Sequence, residues 1–291
     1  METIKLGSIG ESVKQLQKIL GLSTDGIFGM NTENVVKQFQ KKNGLVADGI
    51  VGNKTWEKLL GNNNSNITTP SKLVIENYFL KPGQYISGKY NNDYIILHGT
   101  SGWDNPYQVV DAWNNDKLGK VATEFVVGGQ RSTDGRSIYD GKIIRTFPEG
   151  CVGYHIGTSG STYMNTHSAG IEMCNMAHVK NGKTYVNTTV IPSQMYTLPF
   201  TFRGFNQFHK YSNKQLESTK QLLYYIANRD NIDLHVGLYD WIKRYGVQKA
   251  FDVQNDAYYG KVKGLLTHIN IRKDKEDCHP QPELVDMILS L

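Results

Sequence analysis

Tyr94-Ile-Ile-Leu-His98-Gly-Thr100 is an apolar, strand-like run that ends in a histidine. A second segment lies near the C-terminus: His268-Ile-Asn-Ile-Arg-Lys-Asp-Lys-Glu-Asp-Cys278-His279-Pro280. There a histidine and a cysteine stand ten positions apart, at 268 and 278. Two imidazoles and one thiolate are the usual protein share of a catalytic zinc site, which leaves a fourth position open. If these residues meet in space, they predict a hydrolase with Zn2+ as cofactor. Each is weak alone, because the chain has eight histidines and a chance pair is easy to find.

Strand and helix signals alternate around the first run. Strands are expected at 93–98, 121–127, 137–146 and 168–174. Helices are expected near 106–116, with Val109, Val110 and Trp113 inward, and at 213–229, with Leu216, Leu222, Leu223 and Ile226 at helical spacing. This alternation predicts an α/β fold with a mixed central sheet and flanking helices. Asn181-Gly182 reads as a hairpin turn. The aromatic-rich segments 176–211 and 235–262 read either as walls of a groove or as lids burying their own side chains.

The first 60 residues carry an internal repeat. Asp25-Gly-Ile-Phe-Gly-Met-Asn-Thr32 recurs as Asp48-Gly-Ile-Val-Gly-Asn-Lys-Thr55, a shift of 23. Each copy joins a tight turn to a helix start. Apolar faces follow at Val35, Val36 and Phe39, and at Trp56, Leu59 and Leu60, with Val13, Leu16, Gln17 and Leu20 on an earlier helix. A small all-α, three-helix domain is expected over 1–60. The polar, Asn-rich stretch 61–71 reads as a flexible linker, which leaves 72–291 as a second domain.

Composition narrows the class. The chain has 291 residues, 39% hydrophobic and 20% charged, with net charge +5. That is ordinary globular protein of a size for one good core and a small second one. No run of five Lys/Arg occurs, so a nucleic-acid partner is not supported. Three cysteines do not suggest a disulfide framework; Cys174 reads as a core thiol and Cys151 as inert. No apolar stretch approaches 18 residues and the N-terminus lacks an apolar leader core. The expectation is therefore no membrane insertion, synthesis in the cytoplasm without a signal peptide, and action elsewhere only after release.

Six ordered blocks carry a resemblance. They are Ile95-Ile-Leu-His98-Gly-Thr100, Val121-Ala-Thr-Glu-Phe-Val-Val127, Asp140-Gly-Lys-Ile-Ile144, Gly153-Tyr-His155-Ile-Gly157, Ser168-Ala-Gly-Ile-Glu172 and Tyr211-Ser-Asn-Lys-Gln-Leu216. In this order they resemble the zinc-dependent N-acetylmuramoyl-L-alanine amidases, the group of T7 lysozyme, AmpD-type amidases and peptidoglycan recognition proteins. Leu16-Gln17, Phe39-Gln40 and the two Asp-Gly blocks resemble the small peptidoglycan-binding domain family.

The resemblance implies roles. His98 and His268 would be metal ligands. Cys278 keeps the ten-residue spacing and the sulfur, with Asp277 and His279 as alternatives. Glu172 matches the catalytic glutamate of AmpD-like members. Glu124 is a second catalytic candidate; the neighbouring Thr123 replaces the tyrosine of T7-like members, so that tyrosine role is not available. Lys275 would stabilise the oxyanion of the intermediate. His155 and Thr100 would contact substrate, and His167, His178, His209 and His235 carry no role. The implied reaction is cleavage of the amide between N-acetylmuramic acid and L-alanine of bacterial peptidoglycan by an endolysin-like enzyme, released with a separate holin-like factor. A recognition protein that binds without cutting, or a zinc peptidase on wall peptides, are the other readings.

Overall fold

A computed structural model describes residues 2–22, 24–61, 73–117, 119–157 and 161–291. The chain divides into two compact units, Met1–Lys72 and Leu73–Leu291. Apart from Gly61, the expected linker at 61–71 lies outside the described residues, as does the side chain of Leu60.

The first unit has three helices: α1 (Glu11–Ile19), α2 (Met30–Lys42) and α3 (Asn53–Gly61). Val13, Leu16, Phe28, Val36, Val51, Trp56 and Leu59 form its core together with Ile4. The sequence repeat is also a structural one. Gln17 donates its amide to Asp25 Oδ1 (2.7 Å) and to the Ile27 carbonyl (3.0 Å), and its Oε1 accepts from Gly26 N (2.9 Å). Gln40 does the same with Asp48 (2.9 Å), Ile50 (2.9 Å) and Gly49 (2.9 Å). Gly26 and Gly49 sit at φ +76° and +79°, a region that disfavours a Cβ. Each Asp-Gly turn is thus latched by a buried glutamine from the preceding helix.

The second unit is built on a six-stranded sheet. Its strands are β1 (Ile75–Asn77), β2 (Tyr94–Gly99), β3 (Phe125–Val127), β4 (Ile143–Arg145), β5 (Ser168–Met173) and β8 (Leu265–Thr267), in the order β1-β4-β3-β5-β2-β8. Only β3 and β4 pair antiparallel, so the sheet is mixed, as expected. A separate hairpin joins β6 (Met195–Phe202) to β7 (Phe205–His209). The longer helices are α4 (Pro106–Asn114), α6 (Asn213–Asp230), α7 (Leu238–Tyr245) and α11 (Pro282–Leu289). Short ones are α5 (Thr162–Thr166), α8 (Val247–Ala250), α9 (Asn255–Tyr258) and α10 (His268–Ile271).

Side-chain alternation in β3 shows the layering. Phe125 and Val127 join the core that holds Leu216, Leu222, Leu223 and Ile226 of α6. Val126 joins the other core, with Val110 of α4 and Ile144. Helices therefore cover both faces. Ser212 caps α6 by accepting from Gln215 N, and Asn231 ends it in the left-handed region, φ +54°. Asn105 caps α4, with Pro106 in its first turn.

Several expected boundaries shift. Of 121–127 only 125–127 is strand, and of 137–146 only 143–145. β1, β8 and the β6–β7 hairpin come from segments the sequence reading left unassigned. Asn181 and Gly182 do form the tight turn, at φ +53° and +71°, between the paired Lys180 and Lys183. Among the described residues no helix is long and apolar enough to cross a membrane.

Candidate active site

Three neighbouring parallel strands, β5, β2 and β8, end on the same side of the sheet. Open α/β sheets bind ligands beyond such carboxyl ends. In β5 and β2, Glu172 is the register partner of His98. In β8, Thr267 pairs with Leu97, so His268 follows at the next position and starts α10. The Asn270 side chain accepts from Thr267 N and Oγ1 at 2.9 Å, which fixes the turn out of the strand. The sheet itself thus sets Glu172, His98 and His268 side by side.

His98 Nδ1 lies 3.0 Å from His268 Nδ1, and Asp277 Oδ2 lies 3.1 Å from His268 Nδ1 and 3.6 Å from His98 Nδ1. A tetrahedral zinc with bonds of about 2.0–2.1 Å has donor–donor edges of about 3.3 Å. The three atoms therefore outline one face of such a site. Among the described residues no other group of three His, Cys, Asp or Glu brings its donor atoms so close.

Cys278, the expected third donor, is not part of this group. Adjacent side chains leave the backbone in different directions, and here the carboxylate of Asp277 takes the side of the histidines. Cys278 is fully buried in the apolar core, with its thiol against the Tyr211 hydroxyl. Burial first, then the Asp277 charge, push that thiol well above its ordinary range. His279 is also turned away, stacked between Phe208 and Tyr211.

The electrostatics favour a neutral His98 beside one anion. Burial and then His268 push His98 down to about 4. Burial opposes ionisation of Asp277, but its contacts with His268 and His98 outweigh it and hold the carboxyl well below the usual range. Burial, followed by the Asp277 charge, raises Glu172 to about 8, with Lys275 acting the other way.

A cavity of about 390 Å³ opens over the group and is lined by Glu172, Lys275, His155, Thr100, Thr123 and Trp113, among others. Glu172 and Lys275 thus line the same cavity as His98 and His268. Thr100 is there too, but its hydroxyl already accepts from Asn175 N (3.0 Å) and Gly102 N (3.1 Å). Glu124 is elsewhere. It forms a two-pronged ion pair with Arg229 of α6 (2.5 and 2.9 Å), with Arg145 at 3.8 Å. Burial still raises its carboxyl despite these cations. It is a buried structural anion, not a group at the cavity.

A second cavity of about 270 Å³ shares Thr100, Trp113 and Glu172 with the first and adds Trp103 and Tyr185. Tyr185, whose hydroxyl donates to the Ser101 carbonyl (2.6 Å), comes from segment 176–211. That segment is therefore partly groove wall, while its Phe202 and Phe208 are core. Trp241 and Phe251 of segment 235–262 are core as well. The sequence reading missed His178, which contacts Glu276 (2.7 Å) and stacks on Phe205, so tying the β6–β7 hairpin to the loop of Lys275 and Asp277. No local motif marks it.

Comparison with protein families matches residues 88–275, well over half of the chain, to the model described as N-acetylmuramoyl-L-alanine amidase. The chain belongs to this amidase family. Residues 9–59 of the amidase match a model described as a peptidoglycan binding domain. The amidase match stops short of Asp277 and Cys278, so their assignment rests on geometry.

Among solved structures, an endolysin of Burkholderia phage AP3 is 44% identical over 20% of this chain and 24% of its own, with a TM-score of 0.20. A peptidoglycan-binding protein from Clostridioides difficile is 46% identical over 20% and 40%, TM-score 0.19. The amidase thus spans only 24% and 40% of the lengths of these two. The N-acetylmuramoyl-L-alanine amidase LysC from Clostridium intestinale is 15% identical over 72% of this chain and 91% of its own, TM-score 0.40. The curated proteins give no match.

Proposed function

We propose that this amidase hydrolyses the amide between the lactyl group of N-acetylmuramic acid and L-alanine in bacterial peptidoglycan, with zinc held by His98, His268 and Asp277. The carrying observation is the triangle of donor atoms at 3.0, 3.1 and 3.6 Å, set in a cavity beside a carboxyl group. Zinc with three protein ligands supplies an acidified water and a Lewis acid for the amide carbonyl.

The chain's own residues do the rest. Glu172 takes the proton from the attacking water and returns it to the leaving amine. Lys275 offers a cation to the negative charge that develops on the carbonyl oxygen. His98 is held neutral and Asp277 ionised, the protonation states in which these two groups can hold a divalent ion. The first unit concentrates the enzyme on wall polymer by raising its effective concentration. That pairing of modules suits an endolysin that reaches the wall after release by a holin-like factor.

Mass spectrometry of products from purified peptidoglycan tests the reading. New N-terminal L-alanine with intact lactyl-bearing glycan is the expected result. New amino groups at other stem residues would instead mark a peptidase, and binding without products a recognition protein.

A further inference from the structure

His98 uses both ring nitrogens. Nδ1 faces His268 and Asp277, and Nε2 lies 2.8 Å from Nδ1 of His155. The other nitrogen of His155, Nε2, lies 2.8 Å from Ser168 Oγ, and Ser168 donates its hydroxyl to the Met164 carbonyl. The chain ends there, on an atom that can only accept.

That end fixes the direction of every bond. The Ser168 proton goes to Met164, so Ser168 Oγ accepts from His155 Nε2–H. A neutral His155 has one N–H, so its Nδ1 is bare and accepts from His98 Nε2–H. A neutral His98 is then left with an unprotonated Nδ1, aimed at Asp277 and His268.

The surroundings are shaped to hold this relay. Asn165 of α5 accepts from the backbone N–H groups of His155 (3.0 Å) and Ile156 (2.9 Å). Met164, the terminal acceptor, lies on the same short helix. Position 170 is glycine, and a Cβ there would stand 3.0 Å from His155 Nδ1 and 2.7 Å from Thr123 Cγ2. His155, Ser168 and the Met164 carbonyl are all buried or lie in buried segments.

We propose that His155 and Ser168 are positioning residues that fix His98 in the tautomer with a free lone pair on Nδ1, so that it can ligate a metal ion. This builds on the metal reading of His98, but it changes the role of His155 from substrate contact to support of a ligand. Such outer partners are worth about 10–100-fold in metal affinity.

The test reads the tautomer and the metal separately. Histidine-selective ¹⁵N NMR of the chelated full-length wild-type protein should show His98 and His155 both protonated on Nε2. Zinc titration of Ser168→Ala should then show affinity reduced about 10–100-fold, with Ser168→Thr restoring it by returning the hydroxyl. A proton on His98 Nδ1 in the wild type would overturn the relay whatever the variants do. So would Ser168→Ala with unchanged spectrum and affinity. A wild type that shows the stated tautomers but binds no zinc would sink the metal reading and leave the relay standing.

Discussion

Glu172 and His98 are register partners on adjacent parallel strands, with His268 one strand further on. Strands lie about 4.8 Å apart, so the sheet rather than any loop sets the spacing of the proposed base from the two histidines. Only the third donor comes from a loop.

The third donor is the sharpest test of the site. Asp277→Ala should lose most bound zinc and nearly all activity, as measured by metal analysis of the dialysed protein. Cys278→Ser should keep its zinc, because the thiol faces Tyr211 and not the histidines. Zinc lost from Cys278→Ser but kept in Asp277→Ala would reverse the assignment.

Glu172→Gln should lower turnover about 10²–10⁴-fold with zinc retained. The same variant should reveal a pH effect in the chelated protein. The folded Glu172 carboxyl sits at about 8, above its value of about 4.3 in an unfolded chain. The folded state therefore holds the proton more tightly, and stability falls as pH rises from near 4.5 through 8. Thermal melts of the chelated variant should exceed wild type at pH 8–9 and match it at pH 4. Equal melting temperatures at both pH values would argue against a half-buried Glu172 that holds its proton in the metal-free protein.

Glu124→Ala should act on stability alone. Removing one partner of a buried ion pair costs about 3–5 kcal/mol, and the lower end applies because Arg229 keeps Asp230 at 2.7 Å. Denaturant melts should show the loss while the surviving folded fraction keeps normal turnover per bound zinc. A variant of full stability without activity would return Glu124 to the catalytic list.

The two units should separate by task. A fragment of Leu73–Leu291 should cleave a small soluble muropeptide at near the full-length rate and lose activity mainly on intact walls, since tethering adds effective concentration and no catalytic group. The isolated first 60 residues should sediment with walls and cut nothing. Equal impairment of the fragment on both substrates would mean that the first unit contributes to the site.

The sequence exposed what local pattern can carry. His98 and Glu172 lie near the ends of apolar strands and His268 follows one, and the Gln17 and Gln40 turns repeat at a fixed shift. What it hid depends on direction and distance. Asp277 and Cys278 are neighbours, and which of them faces inward is set by the path of the whole loop. Glu124 lay in a well-read segment, yet its partner Arg229 is 105 positions away. β1 and β8 have three residues each, too few to show a period. Ser168 was legible only as one letter of a block, because its role needs His155 and Met164 in place.

The paired latches of the first unit also set how it ages. Gln17 and Gln40 each point an amide N–H₂ at a carboxylate, Asp25 or Asp48. Hydrolytic deamidation of either side chain would exchange that donor for a second carboxylate facing the first. A contact that closes the turn would become a repulsion that opens it, without any change in the rest of the chain. The chemical lifetime of two buried amides therefore bounds how long the three-helix unit keeps its shape.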